Sequence, residues 1–208
     1  MNMLDALKND WAMWPIVGLI ILIIYITIER ALYLSRAKVD TEKLMSLLRS
    51  QIVSGNVRGA ISTCEAAPAP ITRIISAGLR RIGSSDQEIQ KAMDEEALRE
   101  LPKIEKRTGY LAMLSNLATL AGLLGTIHGL IGSFGAVAGV DPSLKATLLS
   151  QGISTAMHCT FVGLLGGIIG LAAYAWLNGK TQTILDDINQ GSVEILNLAT
   201  TGRTDSNH

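Results

Sequence analysis

Two threonines and two histidines stand where the chain is otherwise apolar. Thr126 and His128 fall inside a run, 108–140, that holds no Asp, Glu, Lys or Arg; His158 and Thr160 fall inside a second such run, 146–179. Polar groups in stretches of this kind usually mark a substrate or ion pathway. Hydroxyls and carbonyls are suitable oxygen ligands for a hard cation, and a histidine can exchange a proton near neutral pH. Each residue also has a plainer reading. Threonine in an apolar helix often bonds back to the carbonyl one turn earlier, and a histidine there can be a neutral, hydrogen-bonded packing group. The threonines rank above the histidines as pathway candidates.

Spacing places the threonines on particular faces. Ser115, Thr119, Gly122, Thr126, Gly129 and Ser133 recur at three and four residues, as do Gly152, Ala156, Thr160, Gly163, Gly167 and Gly170. Each set forms one small, partly polar helix face. His128 and His158 each lie two residues from a threonine, about 200° round the helix, and His128 between Gly125 and Gly132 suggests an inter-helix contact. Apolar bulk does not drive helices together in lipid, whereas small residues let backbones approach. Gly122, Gly125, Gly129, Gly163 and Gly167 are therefore expected to pack helix on helix. One hairpin cannot satisfy all of these small faces, so a homo-oligomer with them turned inward is the economical expectation. Plain packing within one three-helix chain is the alternative.

The elements that must carry these faces follow from the charge pattern. A third charge-free run, 11–28, precedes them. About 20 residues cross a hydrocarbon core about 30 Å thick. The first run just fits, and the longer two must tilt or project. The fold expected is an all-α membrane protein with three transmembrane helices and a helical cytoplasmic domain. The boundaries are 1–34 for a periplasmic N-terminus and helix one, 35–108 for the cytoplasmic domain, and 109–139 for helix two. A periplasmic turn at 140–145, helix three at 146–179, and a cytoplasmic helix and tail at 180–208 complete the chain. The N-terminus lacks a basic n-region and cleavage site, so a retained helix is expected rather than a secretory signal.

Fourteen Lys and Arg residues lie between Glu29 and Arg107, against only Lys145 between the last two runs. Positive residues stay inside, which puts the N-terminus in the periplasm and the C-terminus in the cytoplasm. Trp11, Trp14 and Tyr33 suit the membrane interfaces. Zero net charge removes any general argument for nucleic-acid binding. Cys64 and Cys159 have no metal-ligand spacing, and no metal or cofactor is expected. No nucleophile–base pair or phosphate loop points to an enzyme.

Between the first two runs the pattern is helical. Leu44, Leu47 and Leu48 mark one face of a helix ended by Gly55-Asn56, and Val57–Glu65 forms a short second helix. Ile71, Ile74, Ile75 and Leu79 form an apolar stripe ending at Gly83. Ser84-Ser85-Asp86 offers an N-cap to a charge-dense helix over 86–107, with Glu96, Glu100, Arg99 and Lys103 on a solvated surface and a kink at Pro102. That helix should run into the second membrane helix with a brief interruption near Gly109. Ile184, Leu185, Ile188, Ile195 and Leu196 mark a last amphipathic helix over 181–199, followed by a polar, disordered tail over 200–208.

These residues resemble a known family. Leu117–Gly129 (LATLAGLLGTIHG) and Gln151–Leu164 (QGISTAMHCTFVGL) look like the second- and third-helix motifs of ExbB and TolQ, in the MotA/TolQ/ExbB family. Ile28–Leu34 (IERALYL) resembles the exit of their first helix, and Gly55–Ala60 (GNVRGA) with Ala77-Gly78-Leu79 their cytoplasmic part. The resemblance implies a pentamer in the inner membrane around a lumen that holds the single helix of an ExbD/TolR-like partner. The family's lumen threonines map onto Thr126 and Thr160, facing an acidic residue on the partner helix. In one place the chain departs from the pattern: Thr155 stands where ExbB and TolQ usually have a glutamate. Thr155, His128 and His158 are therefore weaker pathway candidates, and the coupling ion is left open between H⁺ and Na⁺.

The function so implied is a stator subunit of an ion-motive-force-driven motor, energising TonB-dependent outer-membrane transport with a TonB-like protein. A Tol-Pal-type or gliding-type motor, or a non-conducting membrane scaffold, is the alternative.

Overall fold

The computed structural model describes residues 13–205 and is helical throughout, with no strand among the described residues. Among the described residues seven helices follow one another: α1 Met13–Ala37, α2 Thr41–Val53, α3 Val57–Ala66, α4 Pro70–Leu79, α5 Asp86–Glu105, α6 Thr108–Ala136 and α7 Pro142–Asp205. The chain divides into two compact units. One holds residues up to Arg30 together with Arg107–Leu177; the other holds Ala31–Lys106 and the chain from Asn178.

The first unit contains the apolar parts of α1, α6 and α7, each long and apolar enough to cross a membrane. Its seam is the pairing of α6 with α7. A Cβ added to Gly163 would lie 2.7 Å from both the Ala118 carbonyl oxygen and the Gly122 Cα, so the two backbones touch there. Gly129 meets Ala156, Gly152 meets Ser133, Gly167 meets Thr119, and Gly170 meets Ser115. Close approach of this kind is what drives association where water provides no hydrophobic force. α1 lies over the same hairpin: Ile20 covers Gly166, Ile23 approaches Gly170, and Met13 and Ile16 pack with Cys159 and Val162. Leu120, Leu124, Ile131 and Phe134 of α6, with Met157, Phe161 and Ile168 of α7, are exposed.

The turn between α6 and α7 uses Gly139 at φ +87°, a backbone state glycine adopts without a Cβ clash. Pro142 opens α7 at a position where its missing N–H costs nothing. The Asp141 carboxylate accepts bonds from the Ser143 N–H at 3.1 Å and the Ser143 hydroxyl at 2.9 Å. These bonds hold its carboxyl below the usual range.

The second unit is a conventional water-soluble packing of short helices. The expected stripe of α4, Ile71, Ile74, Ile75 and Leu79, is wholly buried, together with Leu44 and Leu48 of α2 and Ile89 and Met93 of α5. Ile184, Ile188 and Ile195 of α7 close the same core, with Leu185 and Leu196 packed against it. Asn56 caps α3, accepting the Gly59 N–H at 3.0 Å, and Ser85 caps α5, accepting the Glu88 N–H.

The interruption expected near Gly109 is present and falls at Lys106–Arg107: Arg107 adopts φ 66°, and Gly109 lies within α6. Arg107 is steadied by an ion pair to Glu29 at 2.9 Å. Three other expectations need correction. The last amphipathic segment is no separate helix, because α7 continues unbroken through Gly179 and to Asp205. The tail expected from Thr200 is thus helical as far as Asp205, with 206–208 outside the described residues. Glu100, expected on a solvated surface, is 3% exposed. Of the interface aromatics, Trp14 is exposed and Tyr33 packs against the core of the second unit, while Trp11 lies outside the described residues.

Candidate functional site

Thr126 and Thr160 face each other across the α6–α7 seam. Their hydroxyl oxygens are hydrogen-bonded, and both groups are half-buried. The Thr126 hydroxyl is also 3.1 Å from the Gly122 carbonyl and 3.4 Å from the Ala156 carbonyl, and the Thr160 hydroxyl is 3.3 Å from the same Gly122 carbonyl. Two hydroxyls and two backbone carbonyls thus form an oxygen cluster in an apolar bundle. It exists because Gly122 and Gly163 let the helices close; a side chain at either would hold the threonines apart. Gly125 is buried on the same helix, while Gly132 has nothing near it.

The back-bonding reading therefore holds in part, since the Thr126 hydroxyl reaches the carbonyl one turn earlier. What sequence did not disclose is that the same hydroxyl spans to the neighbouring helix. The inward-facing expectation is also modified. Gly122, Gly129, Gly152, Gly163, Gly167 and Gly170 each find a neighbour within their own chain. One hairpin does satisfy most of its small surface, because the two faces have matching periods and seal each other.

The weaker candidates are dispersed. The Thr155 hydroxyl bonds to the Gln151 carbonyl at 3.0 Å, one turn back on its own helix. His158 is half-buried, with Nδ1 2.6 Å from the Ser154 carbonyl. A carbonyl accepts only, so Nδ1 carries the hydrogen and Nε2 is left as the available nitrogen. His128 is exposed, and no neighbour approaches Gly132 on its helix. The structure gathers neither histidine with the threonine pair.

The polar ladder extends in both directions. Ser115 and Ser133 are buried, donating to the Leu111 and Gly129 carbonyls at 2.6 Å each, and Thr119 donates to the Ser115 carbonyl at 3.2 Å. No three metal-binding side chains cluster among the described residues.

With this arrangement in view, comparison with known proteins is decisive. The MotA/TolQ/ExbB proton channel family matches residues 66–190, more than half of the chain, and the matched span includes both threonines. The chain belongs to that family. Among its relatives, a biopolymer transport ExbB homolog of Methanothermobacter thermautotrophicus is 25% identical over 163 residues. That alignment covers 77% of this chain and 57% of the relative, so the chain spans little more than half of that protein's length. A biopolymer transport ExbB-like protein of Synechocystis is 29% identical over 159 residues, covering 76% of this chain and 75% of its own. The Tol-Pal system protein TolQ of Haemophilus influenzae is 31% identical over 99 residues, 47% of this chain and 42% of TolQ. ExbB/TolQ kinship and three apolar helices make this a membrane protein of the ExbB/TolQ type.

Proposed function

We propose that the chain is the stator subunit of an ion-motive-force-driven motor in a bacterial inner membrane. Several copies, five by the family resemblance, surround the single helix of an ExbD/TolR-like partner and energise TonB-dependent transport at the outer membrane. The N-terminus lies in the periplasm and the second unit in the cytoplasm. The observation that carries this reading is the oxygen cluster of Thr126, Thr160, Gly122 and Ala156, where hydroxyls of both helices meet in a seam without a carboxylate.

Physically, the chain supplies half of a pathway. Its charge-free runs have hydroxyls but no acid, so the charge-bearing group comes from the partner helix and these hydroxyls solvate it. One elementary charge moved across about 100 mV releases about 2.3 kcal/mol. Several ions per cycle suffice to turn one set of subunits within another.

The test replaces Thr126 and Thr160 together with valine, which keeps shape and removes the hydroxyls, and measures partner-dependent uptake. The expected result is loss of uptake with assembly intact, and retention in the double serine variant. Unchanged uptake in an assembled valine variant rejects the role.

A second reading is supported by the TolQ relative: the same device drives a Tol-Pal-type load. A neighbouring gene for a Pal-like rather than a TonB-like protein would favour it. A non-conducting scaffold would be indifferent to uncouplers, whereas a motor stops.

A further inference from the structure

The second unit holds an open cavity of about 480 Å³ between α4 and α5, lined also by Cys64, Glu65 and Pro68. This is the size range of small-molecule sites. Its walls come from two helical faces at matching spacing. Arg73, Ser76 and Ala77 of α4, with Arg80 at its C-cap, look across at Ala92, Glu95, Glu96 and Arg99 of α5, and Arg81 stands beyond α4. The space exists because Ala77, Ala92 and Ser76 are small where the two helices would otherwise fill it.

Its chemistry is graded. Arg73 is fixed from below by the buried Glu100, at 2.9 Å. Arg80 and Arg99 are held by carboxylates at the surface, exposed Glu65 to Arg80 at 2.9 Å, and exposed Glu95 and half-buried Glu96 to Arg99 at 2.7 and 3.6 Å. Such exposed pairs contribute little and exchange readily. Arg81 has no ion pair among the described residues, and Ser76, a residue 7% exposed, lines the cavity with its hydroxyl-bearing side chain. A guanidinium fork meets a phosphate through two parallel bonds, which a carboxylate bound through one nitrogen does not use.

We infer that this groove binds a phosphate-bearing anion, with Arg73, Arg80 and Arg81 receiving the phosphate and the Ser76 hydroxyl donating to it from the floor. On binding, Glu65 gives up Arg80 to the doubly charged group. Glu95 and Glu96 stay on Arg99 and limit the ligand's negative charge on the α5 side. The inference is independent of the threonine pathway. The phosphate could belong to a soluble metabolite or to the headgroup of an anionic lipid.

Calorimetry on the purified full chain in detergent, titrated with sodium pyrophosphate at low salt, tests it. Saturable binding is expected, weakened about tenfold by Arg80→Gln and by Arg81→Gln, several-fold by Ser76→Ala, and not by Lys43→Gln, which lies on α2 away from the groove. Arg80 and Arg81 are exposed, so these variants keep the fold. Absence of saturable heat, or equal loss in Lys43→Gln, overturns the inference. Native mass spectrometry from nanodiscs separates the sources. Retention of phosphatidylglycerol, displaced by pyrophosphate and lost in Arg81→Gln, assigns the lipid; pyrophosphate binding without lipid retention assigns the soluble anion.

Discussion

At Thr126 and Thr160 there are two hydroxyl hydrogens and more than two oxygens to receive them. One hydroxyl donates to the other, and the second donates to a carbonyl. Valine at one position leaves the other threonine free to bond the Gly122 carbonyl. Inter-helix bonds of this kind contribute about 0.6 kcal/mol on average in a membrane. Each single valine variant should therefore lower stability by no more than about 1 kcal/mol in denaturant titration. A fall in uptake much larger than the fall in assembled protein would separate a pathway role from a structural one. Outside the membrane, two further side chains make sharp predictions. Burial, followed by the charge of Glu65, pushes the Cys64 thiol up to about 11. Alkylation by iodoacetamide should be slow at pH 8 and keep accelerating towards pH 11, since the thiolate is the nucleophile. Burial works against the Glu100 carboxylate, but its bonds to Lys103 at 2.7 Å and Arg73 outweigh this and hold its carboxyl below the usual range. A depressed value means stability that is present above the ordinary carboxylate range and lost as pH falls through the folded value. Glu100→Gln should cost about 2 kcal/mol at neutral pH, the scale of hydrogen bonds to charged groups. It should also flatten the acid limb of thermal stability below about pH 4.5.

Among the elements, the α6–α7 seam is the least forgiving. A Cβ at Gly163 would sit 2.7 Å from main-chain atoms that cannot rotate away, so Gly163→Val must part the helices. Overpacking of this order costs about 1–3 kcal/mol and should separate the two threonines, abolishing uptake together with stability. Gly132→Ala is the contrast: nothing lies near that position, and it should be silent in both measurements. Much of this was legible beforehand. The small-residue period of both helices, the α4 stripe and the Ser85 cap all follow from local rules, and each is where its spacing implies, whereas Asn56, which caps α3, reads in sequence only as a helix end. What was not legible is partnership. Period alone says that Gly122 and Gly163 want a close neighbour, not that they are each other's neighbour. Glu100 shares its spacing with solvated charges, and only the arrival of Arg73 from α4 buries it. Gly179 resembles a helix stop, yet no positive φ is imposed there and α7 simply continues.

For the molecule as a whole, the first unit follows membrane rules and the second follows aqueous ones, within one chain. The apolar residues left exposed differ accordingly. On α6 and α7 they form continuous surfaces, Leu120 to Phe134 and Met157 to Ile168, whereas in the second unit they are scattered, as Val53 and Leu98 are. Surfaces of the first kind are covered by lipid or by further protein. Cross-linking of single cysteines on the outward side of α6, at Leu120 or Leu124, should give a ladder of oligomers in membranes if copies of the chain assemble. Bands limited to the monomer would assign those positions to lipid.

The absence of any carboxylate between residues 108 and 140 or 146 and 179 has a cellular corollary. Hydroxyls that are already bonded to each other and to backbone carbonyls of the two helices offer a bare ion no counter-charge, and the seam that holds them is closed by glycine. Made alone and in excess, the protein should be electrically silent. A potential-sensitive dye in such cells should read the same as in cells carrying an empty vector, and growth should be unimpaired. Leakage would begin only when an acidic helix is supplied. On the proposed function, the insulator is built first and conduction waits on the arrival of the second component.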